Sequence, residues 1–200
     1  MDGERARFLR RYEAKRFSPS EPIKGLGLTM LDYWAWAYSD VLENTQRATF
    51  AEFLVGAVLG VVDGVRIGWG GWDLSYRGKL IEVKASAYLQ TWNQRKLSRL
   101  SFRIAKRLQL DEDGITYVGD PVHASDCFVF CLFADKDADS ADILDVDRWR
   151  FKVVASAEIA RRFGDQKSVG WNTLSDHREL KLDQLRSELD AVLGFAPLRS

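Results

Sequence analysis

Apolar residues recur along this chain first at helical spacing and then at strand spacing, and that switch divides it. Residues 4–17 alternate charge with Phe8, Leu9, Tyr12 and Phe17, the pattern of a short surface helix. "SPSEPIKGLG" then breaks it with two prolines and two glycines, so residues 1–28 read as an arm and linker. Thr29 with Asp32 forms a capping-box pattern, and "LDYWAWAYSDVL" carries apolar residues on most faces, predicting a helix to about Leu42 buried against the core. Asn44 or Thr45 caps a second helix that Gly60 ends. Its apolar stripe is Phe50, Leu54, Ala57 and Val58, and Glu52 lies beside it.

Strand patterns follow. Val65 to Leu74 and Leu80 to Ser86 read as two strands joined by "SYRGK", whose Gly78 suits a tight hairpin turn. "RLSFRI" alternates Arg99, Ser101 and Arg103 with Leu100, Phe102 and Ile104; a strand is preferred there, although Lys96, Arg99, Arg103 and Lys106 also fit a helix face. "DEDGITYVGDPVHASD" reads as a polar loop, "CFVFCLFA" as a central strand, "DKDADSADILDVD" as an acidic loop and "RWRFKVV" as a further strand. "SAEIARRF" predicts a short helix, "KSVGWNTL" a last strand, and "KLDQLRSELDAVL" an amphipathic helix ended by Gly194. The order predicts one α/β domain over residues 29–200, built on a mixed sheet flanked by helices.

Composition narrows the picture in three ways. Of the 200 residues, 46% are hydrophobic, enough for one full core. Lys plus Arg balance Asp plus Glu at 29 each, so any polyanion must be held by local rather than overall charge. Cys127 and Cys131 fall on one strand face, too far apart to bridge, and suit a reduced, cytoplasmic setting. Phe50 to Val62 is the most apolar segment, contains Glu52 and is shorter than a membrane span, and the N-terminus lacks the apolar core of a signal peptide.

The candidate chemistry lies in "WDLSYRGKLIEVKAS". Period-two geometry puts Glu82 and Lys84 on one strand face, roughly 7 Å apart, opposite the face of Ile81, Val83 and Ala85. Hairpin closure brings Asp73 alongside. Two neighbouring carboxylates raise each other's pKa unless a cation joins them, and hard oxygen ligands with room for a phosphate suit magnesium. Lys84 beside such a metal can orient or deprotonate a water, so the inferred reaction is metal-assisted phosphodiester hydrolysis.

These residues, Asp73 followed after eight positions by Glu82-Val83-Lys84, resemble the PD-(D/E)xK nuclease superfamily over residues 45 to about 133. The resemblance implies a restriction-endonuclease-like fold, magnesium (with manganese as substitute) held by Asp73, Glu82 and the Val83 carbonyl, and Lys84 assisting the attacking water. It also implies a role for Glu52 as third ligand or water-holding group. Trp72 stands where the motif's proline would be, and Ser86 and Gln90 resemble polar residues that line such sites. Enzymes of this fold that cut both strands are often dimers, so a homodimer through the first or last helix is an expectation of the same kind.

The densest basic cluster outside the N-terminal arm follows directly: Arg95, Lys96, Arg99, Arg103, Lys106 and Arg107. It reads either as a solvated face or as a phosphate grip. Most of the seven tryptophans are expected in the core, with Trp92 the candidate for substrate contact. His123 and His177 have no ligand spacing to the cysteines. The leading expectation is a DNA endonuclease. A catalytically inactive nucleic-acid-binding or scaffold protein, or an RNA-cleaving member of the superfamily, are the alternatives.

Overall fold

The computed structural model describes residues 13–66, 68, 71–110 and 117–196. Residues 13–17, the described part of the expected arm helix, are irregular. A small antiparallel ribbon, β1 (Pro22–Ile23) and β2 (Leu28–Thr29), leads into α1 (Met30–Tyr38). The capping box forms: Asp32 N–H donates to Thr29 Oγ1 at 3.4 Å and Thr29 N–H to Asp32 Oδ2 at 2.7 Å. The expected burial does not. The helix ends at Tyr38, none of its residues is buried, and Trp36 is 85% exposed. Apolar residues all round a nine-residue helix give it no single face to seal, and it packs mainly on the two-residue β2.

Glu43, rather than Asn44 or Thr45, caps α2 (Asn44–Leu59), its Oε2 accepting the Thr45 and Gln46 N–H groups at 2.8 and 3.1 Å. Gly60 ends the helix at φ +73°. Ala51, Leu54, Val55 and Leu59 are the buried apolar positions, while Ala57 is exposed, so the apolar stripe is turned relative to the expected one.

The hairpin consists of β3 (Leu74–Tyr76) and β4 (Lys79–Ala87), joined by Arg77 at φ +51° and Gly78 at φ +80°. Two successive left-handed residues make the turn whose twist suits a hairpin. A Cβ at Gly78 would meet nothing within 4 Å, so Gly78→Ala tests backbone strain alone. The expected loss is about 1 kcal/mol in urea denaturation, and an unchanged midpoint would contradict this account of the turn. The strand expected from Val65 is shortened to three residues. The described residues between Val61 and Asp73 are irregular, because Gly64, Gly68 and Gly71 weaken a strand and Val61 N–H closes back on Gly56 O at 2.9 Å.

Next come β5 (Phe102–Arg103), β6 (Arg107–Leu110), β7 (Tyr117–Val122), β8 (Cys127–Phe133) and β9 (Trp149–Ala155). The chain then forms α3 (Ser156–Phe163), β10 (Ser168–Val169) and α4 (Leu182–Val192). Leu100, Phe102 and Ile104 are buried while Arg99, Ser101 and Arg103 are exposed, as the alternation requires. The segment expected as a polar loop contains β7, paired antiparallel with β6; Gly119 (φ +72°) and Pro121 inside the strand disguised it. Residues 111–116 of that segment lie outside the described residues. The last strand shrinks to β10, which pairs with β5 and is followed by a 3-10 turn at Trp171–Leu174.

The central sheet runs β3-β4-β8-β9, with β4 and β8 parallel and the outer pairs antiparallel, so the fold is a mixed α/β sheet with helices against it. One face buries Ile81, Val83, Val129, Cys131, Phe151 and Val153 together with residues of α2 and α4. Both cysteines are free and buried, and burial pushes the Cys127 thiol up to about 12. The other face holds Phe128, Phe130, Leu132 and Val154 against Phe102, Ile159, Trp171 and Leu174. On this second face the register sets Glu82 beside Phe128 and Lys84 beside Phe130, so β4 ends an otherwise apolar layer with an acid and a base. Trp149 and Trp171 are the two buried tryptophans among the six described; Trp36, Trp72 and Trp92 are exposed, contrary to the expectation that most pack inside. No described helix is long and apolar enough to cross a membrane.

Candidate functional site

β3 covers only the first residues of β4. Pairing of Leu74 with Ile81 and of Tyr76 with Lys79 puts Asp73 opposite Glu82, one step before β3 begins. The last ladder bond runs from Asp73 N–H to Ile81 O at 3.0 Å. From there on the ladder is replaced by a side chain: Val83 N–H donates to Asp73 Oδ2 at 2.7 Å. In a strand the N–H and C=O of one residue point to the same side, so the Val83 carbonyl is directed to this same edge. Asp73, Glu82, Lys84 and Val83 are therefore brought together by the register of one hairpin.

Glu82 is 5% exposed. It is tolerated because Lys84 Nζ forms a short ion pair with its Oε1 and Arg107 Nη2 donates to the same oxygen at 2.9 Å. Arg107 belongs to the basic cluster visible in the sequence, but its partnership with Glu82 depends on the β6–β7 hairpin, which the sequence did not reveal. Asp73 is half-buried, and among the described residues it forms no ion pair. Burial raises its pKa, and the Glu82 charge raises it further, while Lys84, the Val83 N–H and Arg107 act in the opposite sense.

Glu52 arrives from α2 and is 6% exposed. Burial raises its pKa from the ordinary glutamate value, against the Arg66 hydrogen bonds that lower it; the Asp73 charge adds to the rise, and the Arg66 and Lys84 charges lower it. Arg66 binds both carboxylate oxygens, with Nη2 to Oε1 at 2.6 Å and a short contact from Nε to Oε2. Nothing in the sequence pattern marked Arg66, since it lies in the segment expected as a strand. The carboxylate oxygens of Glu52, Asp73 and Glu82 do not all lie within 4.8 Å of one another.

The residues expected to touch nucleic acid lie beyond the far end of β4. Trp92 (55% exposed), Arg95, Lys96 and Arg99 are all exposed on one ordered loop. Ser98 N–H to Tyr88 O at 2.9 Å closes that loop, and Gln94 fastens it through Tyr88 O at 3.2 Å and Ser98 Oγ at 3.0 Å. Arg103 is exposed on β5. Gln90 faces inward: its Nε2 donates to Ala87 O at 3.1 Å and its Oε1 accepts from Arg47 at 3.4 Å. Lys106 pairs with Asp165 at 2.8 Å.

Two other charged groups lie elsewhere. Buried Lys152 on β9 donates to Leu174 O at 2.6 Å and lies over the Trp171 ring at 4.8 Å, which makes it a cap for the 3-10 turn. Glu158, Asp176 and His177 gather their ligand-type atoms within 4.8 Å, but Arg162 Nη1 stands among them at 2.9, 2.6 and 3.2 Å. A guanidinium already occupies the middle of that cluster and pairs with both of its acids.

No known family model, curated protein or solved structure matches this chain.

Proposed function

We propose that this protein is a magnesium-dependent nuclease of the restriction-endonuclease-like, PD-(D/E)xK type, cutting DNA internally. The observation that carries the reading is the hairpin register: Asp73 stands opposite Glu82, with Lys84 on the same face of β4, where β3 has ended.

The donor set fits magnesium. Two carboxylates and the Val83 carbonyl are hard oxygens, and such an ion takes only one or two protein carboxylates beside water and phosphate. Burial first, and the Glu82 charge second, raise the Asp73 pKa, and the neighbouring carboxylate charge marks a place where a cation is favoured. Asp73, Glu82 and the Val83 carbonyl would hold the ion, which when bound polarises a phosphoryl oxygen and makes a coordinated water acidic. Lys84 Nζ, mostly buried and fixed by Glu82, orients the attacking water and offers positive charge to the phosphate as charge builds on it. Glu52 serves as an outer acceptor that positions water once Arg66 releases it. Trp92, Arg95, Lys96, Arg99 and Arg103 supply the phosphate and base contacts that a chain of zero net charge needs locally.

The test is incubation of the purified protein with supercoiled plasmid, single-stranded DNA and RNA. Nicking and linearisation of the plasmid with magnesium or manganese, abolished by EDTA, is the expected result. No cleavage of any substrate with either metal overturns it.

One observation favours a second reading, a nucleic-acid-binding protein without catalysis: Glu52 and Glu82 are both already paired with cations. Salt-dependent DNA binding without cleavage would establish that reading. A preference for RNA over DNA in the same assay would instead make it an RNA-cleaving enzyme.

A further inference from the structure

Beside the acidic group lies a cavity of about 390 Å³, lined by residues of α2, by residues between Val61 and Arg66 and by Trp72 to Ser75. Its described lining includes Phe53, Val62 and Trp72, and Glu52, Arg66 and Asp73 also line it. The size falls within the roughly 300–1,000 Å³ of small-ligand sites, and the wall is mainly apolar with a few polar groups. Phe53 is 53% exposed and Trp72 43% exposed, so two aromatic rings are left open to solvent on this wall. Exposed rings occur elsewhere on this chain, Trp36 among them, but here two of them share the wall of one cavity with charged side chains.

Resting on the nuclease reading, we propose that this cavity is a subsite for one unstacked nucleobase of the DNA, so that the enzyme prefers substrates with an unpaired or extruded nucleotide beside the cut. The occupant is set by continuity: Glu52 and Asp73 belong both to the cavity and to the candidate catalytic group. Whatever fills the cavity lies next to the phosphate those carboxylates serve. A base carries an apolar face for Phe53 and Trp72 and remains tethered to that phosphate, whereas a free apolar ligand would be held by nothing at the charged end. Arg66 stands at the boundary, with its side chain 45% exposed, where it can leave Glu52 for a phosphate oxygen of the extruded nucleotide.

The test measures binding in EDTA, where no cleavage occurs. A duplex carrying a single unpaired 2-aminopurine is compared with the same duplex carrying an abasic residue at that position and with a fully paired duplex. Fluorescence quenching of the 2-aminopurine, and about tenfold tighter binding than to the abasic duplex, are expected from stacking of one base. Trp72→Leu and Phe53→Leu, both at exposed positions, should each weaken that preference while leaving salt-dependent binding to the paired duplex in place. Equal binding of the base-bearing and abasic duplexes, or a preference that survives both substitutions, overturns the subsite and leaves the nuclease reading standing. Failure to bind any of the duplexes overturns the subsite, while cleavage of plasmid with magnesium or manganese decides the nuclease reading separately.

Discussion

Replacing Lys84 with methionine is expected to lower magnesium-dependent DNA cleavage by about 10²–10⁴-fold, the range of a positioned group that handles a proton or a water in the transition state. The substitution separates chemistry from folding. Lys84 is largely buried beside Phe130, and methionine keeps a flexible chain of similar length in that place. Glu82 would not be left as an unpaired buried charge, because Arg107 still donates to it at 2.9 Å. Binding of a DNA duplex in EDTA should therefore change little while single-turnover cleavage collapses. Cleavage within threefold of the wild type, in a protein with an unchanged melting curve, would remove Lys84 from the mechanism.

The candidate group was legible in the sequence because it depends on period-two alternation and a short hairpin, both local. Leu80-Ile81-Glu82-Val83-Lys84 could have only one sidedness, and Gly78 fixed where the chain turned. The fully apolar β8 was equally plain. What stayed hidden depends on long-range contact. Arg66 meets Glu52 from 14 positions further on, after the last turns of α2 and a short irregular stretch, and Arg107 reaches Glu82 from a hairpin whose second strand contains a glycine and a proline. The exposure of α1 was hidden for a related reason: an abundance of apolar residues shows that burial would be favourable, not that a partner surface is within reach. The inward turn of Gln90 follows from Arg47 on α2, which no local pattern could place near it.

The cations that the structure sets around Glu52 and Glu82 leave Asp73 as the exception among the three acids. Arg66, Lys84 and Arg107 satisfy those two glutamates, and Asp73 alone among the three acids meets a backbone N–H instead of a cation. Asp73 is thus the group through which metal binding and folding stability should be coupled most directly.

Asp73→Asn tests that coupling. The amide oxygen can still accept the Val83 N–H, so the hairpin edge is preserved, but the charge that opposes Glu82 is gone. Burial first, and Glu82 second, hold the Asp73 carboxyl above its ordinary value in the folded chain. A carboxyl raised in this way favours the folded state when protonated; that contribution is complete below the unfolded pKa of about 3.9 and is lost as pH rises through the higher folded value. At neutral pH the metal-free wild type therefore bears the cost of an ionised Asp73. In EDTA at pH 7 the variant should melt above the wild type, and the difference should close as the pH falls toward 4. Magnesium at about 100 times its Kd should add about 2.7 kcal/mol to the wild type, a shift of roughly 5–10 °C, and close to nothing to the variant. Cleavage should fall by about 10³-fold, since several kcal/mol of metal-borne transition-state stabilisation is lost at 1.36 kcal/mol per tenfold. Equal magnesium-induced shifts in the two proteins would mean that the ion binds elsewhere, and the assignment of Asp73 as its ligand would fall.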